Sequence, residues 1–507
     1  MAESLLLFLC YAVSCAAFLY AHHRADSILC DFLHYPKNTG KGMARTLAFL
    51  LVGLIGIGIT SLVLLLTARP IIALVLCLSF FSLMVVLNTA KIHLLREPLV
   101  LADAWLLRQV FKYPGMYFPF FPMKQIYLGL PVVLGAVALV LYWEKPLGAS
   151  SRVVVAFLCV TTLLIPALGI TAMRHGRFTK LANLLLRLLP PSHSASLGAV
   201  RNGTLPSTLL HPVWAGLLEA TCTTPFSGPD TRPALSNWPD SFEKLILSAT
   251  SPDTQPHIVI VQAESFCDIR TKFQGRQQQE LANFLPNWDA LCAKGQTLPT
   301  PDDAFGAYTM RTEFSVLTGL HQQDLGPWAF NPFLAAQKKN LWSLARHFAG
   351  AGYETLFIHP YYKDFFRRDR VMANLGFQHF WDRMDCAHLA RFGPHVSDLA
   401  LGEQVSAHLK KSSCPVFSFI VTIEAHSPWP DNRLSDEAIA QCLPDIDLSL
   451  FSRQTQIYLC HLRHMDTLFG MLGNQQDCAK APHPRNTLVW AYSDHDPAID
   501  FTKNTAN

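Results

Sequence analysis

Hydrophobic and polar positions follow two different rhythms along the chain. In the first third, uncharged apolar runs occupy Ser4–His23, Thr46–Ala68, Ile71–Ala90, Gln125–Trp143 and Val153–Met173. Each comes close to the roughly 20 residues that a helix needs to cross a hydrocarbon core. None holds an Asp, Glu, Lys or Arg. The pattern predicts five transmembrane helices, with Tyr142 and Trp143 as interfacial anchors. No basic stretch precedes the first run and no small-residue cleavage site follows it, so it reads as a span and not a leader. Transporters place ionisable groups at the midplane of such helices, and the lack of them here argues against transport.

Two amphipathic stretches, Leu94–Phe111 and Arg177–Leu189, carry too much charge to span and predict helices lying in the interface. Pro190-Pro191 stops the second. From Ser192 to Pro256 the chain is rich in Ser, Thr, Pro and Gly and reads as a linker. The expected domains are a transmembrane unit over 1–173, an amphipathic helix with a linker over 174–255, and a catalytic unit over 256–507.

From residue 257 the pattern alternates between short apolar strands and helix-period segments. His257–Ala263, Thr355–Ile358, Val416–Ile423 and Thr487–Tyr492 read as buried strands, separated by helices near Leu341–Ala349, Leu399–Lys410 and Gln456–Leu472. The fold class is thus a multi-span α-helical membrane domain plus an α/β domain, its mostly parallel sheet sandwiched by helices. Ligands of such sheets bind beyond the carboxyl ends of the strands. The four strands run into Glu264, His359, His426 and Asp494-His495 respectively. Carboxylates and imidazoles converging on one edge suit Zn²⁺ or Mn²⁺ better than Ca²⁺.

Composition narrows the class. Half of the 507 residues are hydrophobic and 15% are charged, against about a quarter charged in soluble proteins, which excludes a wholly soluble chain and a disordered one. With 41 basic and 37 acidic residues the net charge is +4, too balanced for a nucleic-acid binder. Of thirteen cysteines, five (Cys10, Cys15, Cys30, Cys77 and Cys159) lie in the apolar third, and the others are scattered without a CxxC pair. That is neither a zinc scaffold nor an evident disulfide framework.

A nucleophile is available at Ala304–Leu320, which starts as a loop with Gly306 and turns helical near Met310. The Thr309 hydroxyl then sits at a helix N-terminus, where backbone N–H groups and the helix dipole favour an anion. The competing reading is a plain N-cap, with Glu313 one position beyond capping-box spacing. Thr312, nearly one turn further, is expected to face away. Arg367 and Arg368 follow His359 on an aromatic turn and offer a fork for a phosphate.

Taken in order, Val-Gln-Ala-Glu264-Ser-Phe, Tyr-Thr309-Met-Arg-Thr-Glu-Phe, His359…Phe-Phe366-Arg-Arg368-Asp, Thr-Ile-Glu-Ala-His426-Ser-Pro-Trp and Ser-Asp494-His495 resemble the lipoteichoic acid synthase type of phosphoglycerol transferase. That family lies in the sulfatase-like branch of the alkaline phosphatase superfamily. The resemblance implies a bacterial cytoplasmic-membrane protein with five spans and an extracytoplasmic catalytic domain. It implies Glu264, Thr309, Asp494 and His495 as ligands of one divalent metal ion, Mn²⁺ first with Zn²⁺ or Mg²⁺ as alternatives. Thr309 would also be the nucleophile, and His359, Phe366, Arg368 and His426 the substrate pocket. Two features depart from the family. Phe366 stands where it has Trp, and the chain stops 12 residues after His495, which implies an early-ending subfamily or a shortened chain whose sheet lacks an edge.

The expected reaction moves phosphoglycerol from phosphatidylglycerol to an envelope polysaccharide or glycolipid. A phospho-Thr309 intermediate carries the group, and His426 or His359 protonates the leaving diacylglycerol oxygen. Alternatives are a phosphoethanolamine transferase, a phosphodiesterase or sulfatase of the same superfamily, or a non-catalytic membrane sensor. One signal opposes the family layout. Lys and Arg number four, one, five and two in the successive loops between spans, and the positive-inside rule would put the catalytic domain in the cytoplasm. Donor chemistry and the resemblance place it outside.

Overall fold

The computed structural model describes residues 2–34, 43–100, 103–120, 123–220, 255–295, 309–337, 340–473 and 485–501. The linker over 221–254, Gly306 and the last six residues fall outside that set. Contacts group the chain into two compact units, Met1–Pro225 with Gln322–Phe330, and Phe226–His321 with Asn331–Asn507.

In the first unit five helices are long and apolar enough to cross a membrane. They are α1 (Ala2–Phe32), α2 (Met43–Thr67), α3 (Pro70–Leu95), α5 (Met123–Trp143) and α6 (Ala149–Arg174). Their apolar side chains point outward, Leu66, Leu128 and Tyr142 among the most exposed. α1 continues well past its apolar run because its polar end finds partners. The Asp26 carboxylate accepts bonds from the Thr204 hydroxyl at 2.6 Å and from the Thr204 N–H at 3.2 Å. In α6, Val160–Leu164 forms a π turn just ahead of Pro166, where proline has no N–H for the regular ladder.

The amphipathic helices are shorter than their sequence patterns. α4 spans Ala104–Lys112, because Pro98 interrupts the stretch and Asp103 turns the chain. Its carboxylate accepts from Val100 N at 2.8 Å and from Lys91 Nζ at 2.6 Å. α7 spans Thr179–Leu188. Part of the segment read as linker is helical, as α8 (Ala195–Asn202) and α9 (Thr204–Ala220). Pro206 falls in the first turn of α9, where its missing N–H costs nothing. The tertiary contacts of Leu210 and Val213 with Ala48, Met173, Ala182 and Leu189 bury the apolar face. Gly203 joins the two at φ 85, and a Cβ there would sit 3.0 Å from His22 Nε2.

The second unit is built on a five-stranded, wholly parallel sheet in the order β3-β2-β6-β1-β7. The strands are β1 (His257–Ala263), β2 (Glu354–Ile358), β3 (His379–Trp381), β6 (Val416–Val421) and β7 (Thr487–Ser493). β4 (Arg391–Phe392) and β5 (His395–Val396) form a separate antiparallel pair. Every residue of β1 and β6 is buried, which is why both read as unbroken apolar runs. One face packs Val259, Val261 and Ile420 against α12 (Asp398–Lys411) and α14 (Arg453–Gly473) through Leu401, Val405, Ile457 and Leu468. On the other, Phe357 and Phe417 meet Phe348 and Phe377. β7, read as a buried strand, is instead an edge of the described sheet with most residues half-exposed. β3 has only three residues, too few to carry a periodic signal.

Candidate metal centre and active site

Because all five strands of the sheet run in one direction, their carboxyl ends share one edge. β1 delivers Glu264 there and β7 delivers Asp494 and His495. One ligand atom from each lies within 4.8 Å of the others, and all three residues are buried. His495 Nε2 stands 3.5 Å from Glu264 Oε1 and 3.3 Å from Asp494 Oδ2. The surrounding chain fixes these side chains. Ser265, in the left-handed region at φ 55, gives its N–H to Asp494 Oδ1 at 2.8 Å and its hydroxyl to Glu264 Oε1 at 2.9 Å. The Thr422 hydroxyl accepts from Glu264 N at 2.9 Å. His495 Nδ1 bonds the Asp496 carbonyl at 3.1 Å, so Nδ1 carries the proton and the Nε2 lone pair faces the two carboxylates.

The electrostatics of this cluster describe a cation site. Burial, and then the neighbouring Glu264 charge, push Asp494 up to about 7. Burial alone would lower His495, but Asp494 and Glu264 overcome it and raise the pKa. Among the described residues, Asp494 Oδ2 is buried without a hydrogen-bond donor. Two desolvated carboxylates and one imidazole, with an acceptor oxygen left over, match the donor set of a divalent transition metal.

Thr309 is the first residue of helix α10 (Thr309–Thr318), and its side chain lies near enough to the Asp494 carboxyl to help lower its pKa. The sheet holds this helix start from below. Gln262 Nε2 donates to the Thr309 carbonyl at 3.3 Å, and Tyr492 Oη donates to Gln262 Oε1 at 2.5 Å. Thr312 does not face away from the site. Its hydroxyl donates to the Asp494 carbonyl at 3.0 Å, because the edge strand passes close enough to take a bond one turn along the helix.

Arg368 is almost fully buried, and its fork is already occupied. Nε reaches both Glu313 carboxylate oxygens at 3.2 Å and Nη2 reaches Oε2 at 2.8 Å. Nη1 is buried and has no partner among the described residues. The bidentate phosphate clamp expected from sequence is thus a bidentate clamp on Glu313, leaving one donor for an oxyanion. Phe366 lies 5.4 Å from the guanidinium, on a turn where Phe366 and Arg367 both take left-handed backbone angles, φ 55 and 60. Such conformations cost non-glycine residues roughly 1–2 kcal/mol each. Burial and Arg368 hold His359 well below the usual imidazole range, and His426 and His395 add to that depression.

His426 is held by a loop that the sequence did not reveal. Arg433 Nη1 donates to the carbonyls of His426 and Pro428, and Nη2 to that of Glu424, each at 2.6 Å. His426 Nδ1 bonds the Ser427 carbonyl at 2.6 Å, and His359 Nδ1 bonds that of Val421 at 3.1 Å. Both rings therefore leave Nε2 as an acceptor. Burial lowers His426 to about 4. The structure thus brings Glu264, Asp494 and His495 into one cluster with Thr309 beside it. It sets Phe366 against Arg368, and His359 within electrostatic reach of Arg368 and His426. The partners missed from sequence are Glu313 and Arg433. Glu313 stood in plain view in the Thr-Glu-Phe motif, whereas nothing marks Arg433.

The protein-family model for sulfatases matches residues 256–506. Over nearly its whole length the chain is 26% identical to the capsular polysaccharide biosynthesis protein RkpI of Rhizobium meliloti (strain 1021), covering 97% of this chain and 85% of that one. Among solved structures, the phosphoethanolamine transferase EptA of Neisseria meningitidis matches with a TM-score of 0.47 and 13% identity, covering 97% of this chain and 82% of that one. The lipoteichoic acid synthase LtaP of Listeria monocytogenes matches at 0.35 with 18% identity, covering 52% of this chain and 64% of that one.

Proposed function

We propose that this chain, whose residues 256–506 match the sulfatase family model, is a membrane-anchored, metal-dependent transferase of the sulfatase-like branch of the alkaline phosphatase superfamily. It moves phosphoglycerol from phosphatidylglycerol to an envelope polysaccharide or glycolipid. The observation that carries the reading is the buried Glu264–Asp494–His495 cluster with Thr309 beside Asp494. RkpI, similar over 97% of this chain, is a capsular polysaccharide biosynthesis protein, which supports a polysaccharide acceptor.

A divalent ion, Mn²⁺ before Zn²⁺ or Mg²⁺, held by Glu264, Asp494, His495 and the Thr309 oxygen would lower the pKa of that hydroxyl and offset phosphoryl charge. Thr309 Oγ attacks phosphorus and the bond to the diacylglycerol oxygen breaks, leaving phosphoglycerol on Thr309. An acceptor hydroxyl then attacks, and Thr309 leaves. Arg368 Nη1 donates to a phosphoryl oxygen whose charge grows in the transition state. His426 and His359 start neutral with Nε2 unprotonated, so each acts first as a base. The proton taken from the attacking hydroxyl returns to the leaving oxygen.

The donor lipid also places the catalytic unit outside the cytoplasm of a bacterial cell, in a multi-pass protein of the cytoplasmic membrane. Purified protein given labelled phosphatidylglycerol should release diacylglycerol in proportion to bound metal. Release from phosphatidylethanolamine alone would overturn the donor assignment. A reporter active only in the cytoplasm, fused at Ser192, should be silent, and activity there would overturn the orientation.

A further inference from the structure

Two cysteines away from the metal cluster face each other across a helix contact. Cys442 is the last residue of α13 (Asp436–Cys442) and is half-buried, while Cys460 is fully buried in α14. Cys442 Sγ donates to the Cys460 carbonyl at 3.7 Å, so the two cysteines are in direct contact, and each thiol shifts the other's pKa. A cysteine used as a small hydrophobe does not need a second thiol beside it.

The surroundings favour a reactive sulfur. His464, one turn beyond Cys460 on α14, lies near enough to Cys442 to influence its pKa, and its Nδ1 stands 3.0 Å from Glu424 Oε1. Glu424 is buried and also takes His461 Nδ1 at 2.8 Å and the Asp398 N–H at 2.6 Å. The Cys460 thiol above all, then His464, bring Cys442 down to about 6 against the opposing effect of burial. Burial would lower His464, but Cys442 and Glu424 overcome it and raise that group to about 10. The pair thus sets a half-buried cysteine against a fully buried one, with an imidazole nearby. Disulfide exchange starts from such an arrangement.

We propose that Cys442 and Cys460 form a disulfide when a disulfide-bearing oxidant reaches Cys442. The Cys442 thiolate attacks one sulfur of the oxidant, breaking its S–S bond and forming a mixed disulfide. Cys460 gives up its proton and attacks Cys442 Sγ, and the oxidant leaves as a dithiol. Two thiols are oxidised and one external disulfide is reduced. The bridge ties α13 to α14 across residues 443–459 and removes the Cys442 thiol from beside His464. His464 keeps Glu424 as its partner, and the Glu424 carbonyl shares the Arg433 clamp with His426. Oxidation in the cell rests on the extracytoplasmic placement proposed above, while the chemistry of the pair does not.

The test uses the full-length protein, alkylated under denaturing conditions without reductant and digested for mass spectrometry. In protein isolated from membranes, the Cys442 and Cys460 peptides should appear linked, and both should gain label only after reduction. Reduced, purified protein given oxidised glutathione should close the same pair, and its melting temperature should rise on closure. Closure with glutathione but free thiols in the cell supports the pair and overturns the extracytoplasmic placement. Failure to close with glutathione while Cys442 takes up label overturns the pair and leaves the placement untouched. Cys442→Ser should remove the linked peptide and free Cys460 for labelling; a linked peptide that survives would assign Cys460 another partner and overturn the proposal.

Discussion

The membrane helices and the catalytic sheet are both rich in apolar residues, yet they satisfy their polar groups in opposite ways. In the helices several hydroxyls bond the carbonyl one turn back, and an exception is Tyr11, whose hydroxyl meets Ser61 Oγ at 2.7 Å between α1 and α2. Thr60 reaches Gly56, Ser61 reaches Ile57, Thr67 reaches Val63 and Ser79 reaches Val75, all within 2.9 Å. In the catalytic unit the partners are remote in sequence. Glu313 and Arg368 are 55 residues apart, and Ser265 N and Asp494 are 229 apart. Lipid offers no hydrogen bonds, so a spanning helix has to be satisfied within itself. A parallel sheet gathers strand ends from distant segments and can bury charges against each other. Chemistry and sensitivity to substitution should therefore concentrate in the second region.

The largest effect should come from Thr309→Ala. As a helix cap alone the change costs about 0.5–2 kcal/mol of stability. As the nucleophile, its loss should lower turnover of labelled phosphatidylglycerol at least about a thousandfold. Wild-type turnover per folded molecule would reduce Thr309 to a cap.

Next comes the buried pair. Glu313→Gln leaves the Arg368 charge desolvated and unneutralised, and breaking such a pair costs about 3–5 kcal/mol. Thermal unfolding should show that loss. Adding Arg368→Met should recover most of the stability but none of the turnover. Equal stability in the single and double variants would show that the two residues do not act as a unit.

Asp494→Ala removes one of three clustered ligands. Changes outside the ligand shell alone cost roughly 10–100-fold in metal affinity, so at least the upper end of that range is expected. Metal content of dialysed protein reads it, and equal metal in variant and parent would break the site assignment. The smallest effect should be Ser79→Ala in α3. It removes one local bond and leaves a carbonyl still held by the helix, so unfolding in detergent should shift by less than about 1 kcal/mol. A larger loss would mean that the membrane helices also depend on long-range polar contacts.

Sequence alone determined what depends on local periodicity and on residue order. The apolar runs have the length of bilayer spans, and the unbroken β-branched runs at His257–Ala263 and Val416–Val421 specify strands buried on both faces. Once those strands are parallel, the residues that follow them meet at one edge, so Glu264, His359, His426, Asp494 and His495 could be assigned to that edge in advance, while the family resemblance alone singled out Glu264, Asp494 and His495 among them as metal ligands. What only the tertiary structure decided are the interactions between segments that no spacing links. β3 is a strand because β2 lies beside it. α8 and α9 are helices because they bury Ala199, Leu210 and Val213. Thr312 turns toward Asp494, Glu313 occupies the fork of Arg368, Arg433 clamps the His426 loop, and Cys442 meets Cys460. Each of these contacts offsets the cost of desolvating a polar group, and which distant residue supplies the partner is settled only when the chain has packed.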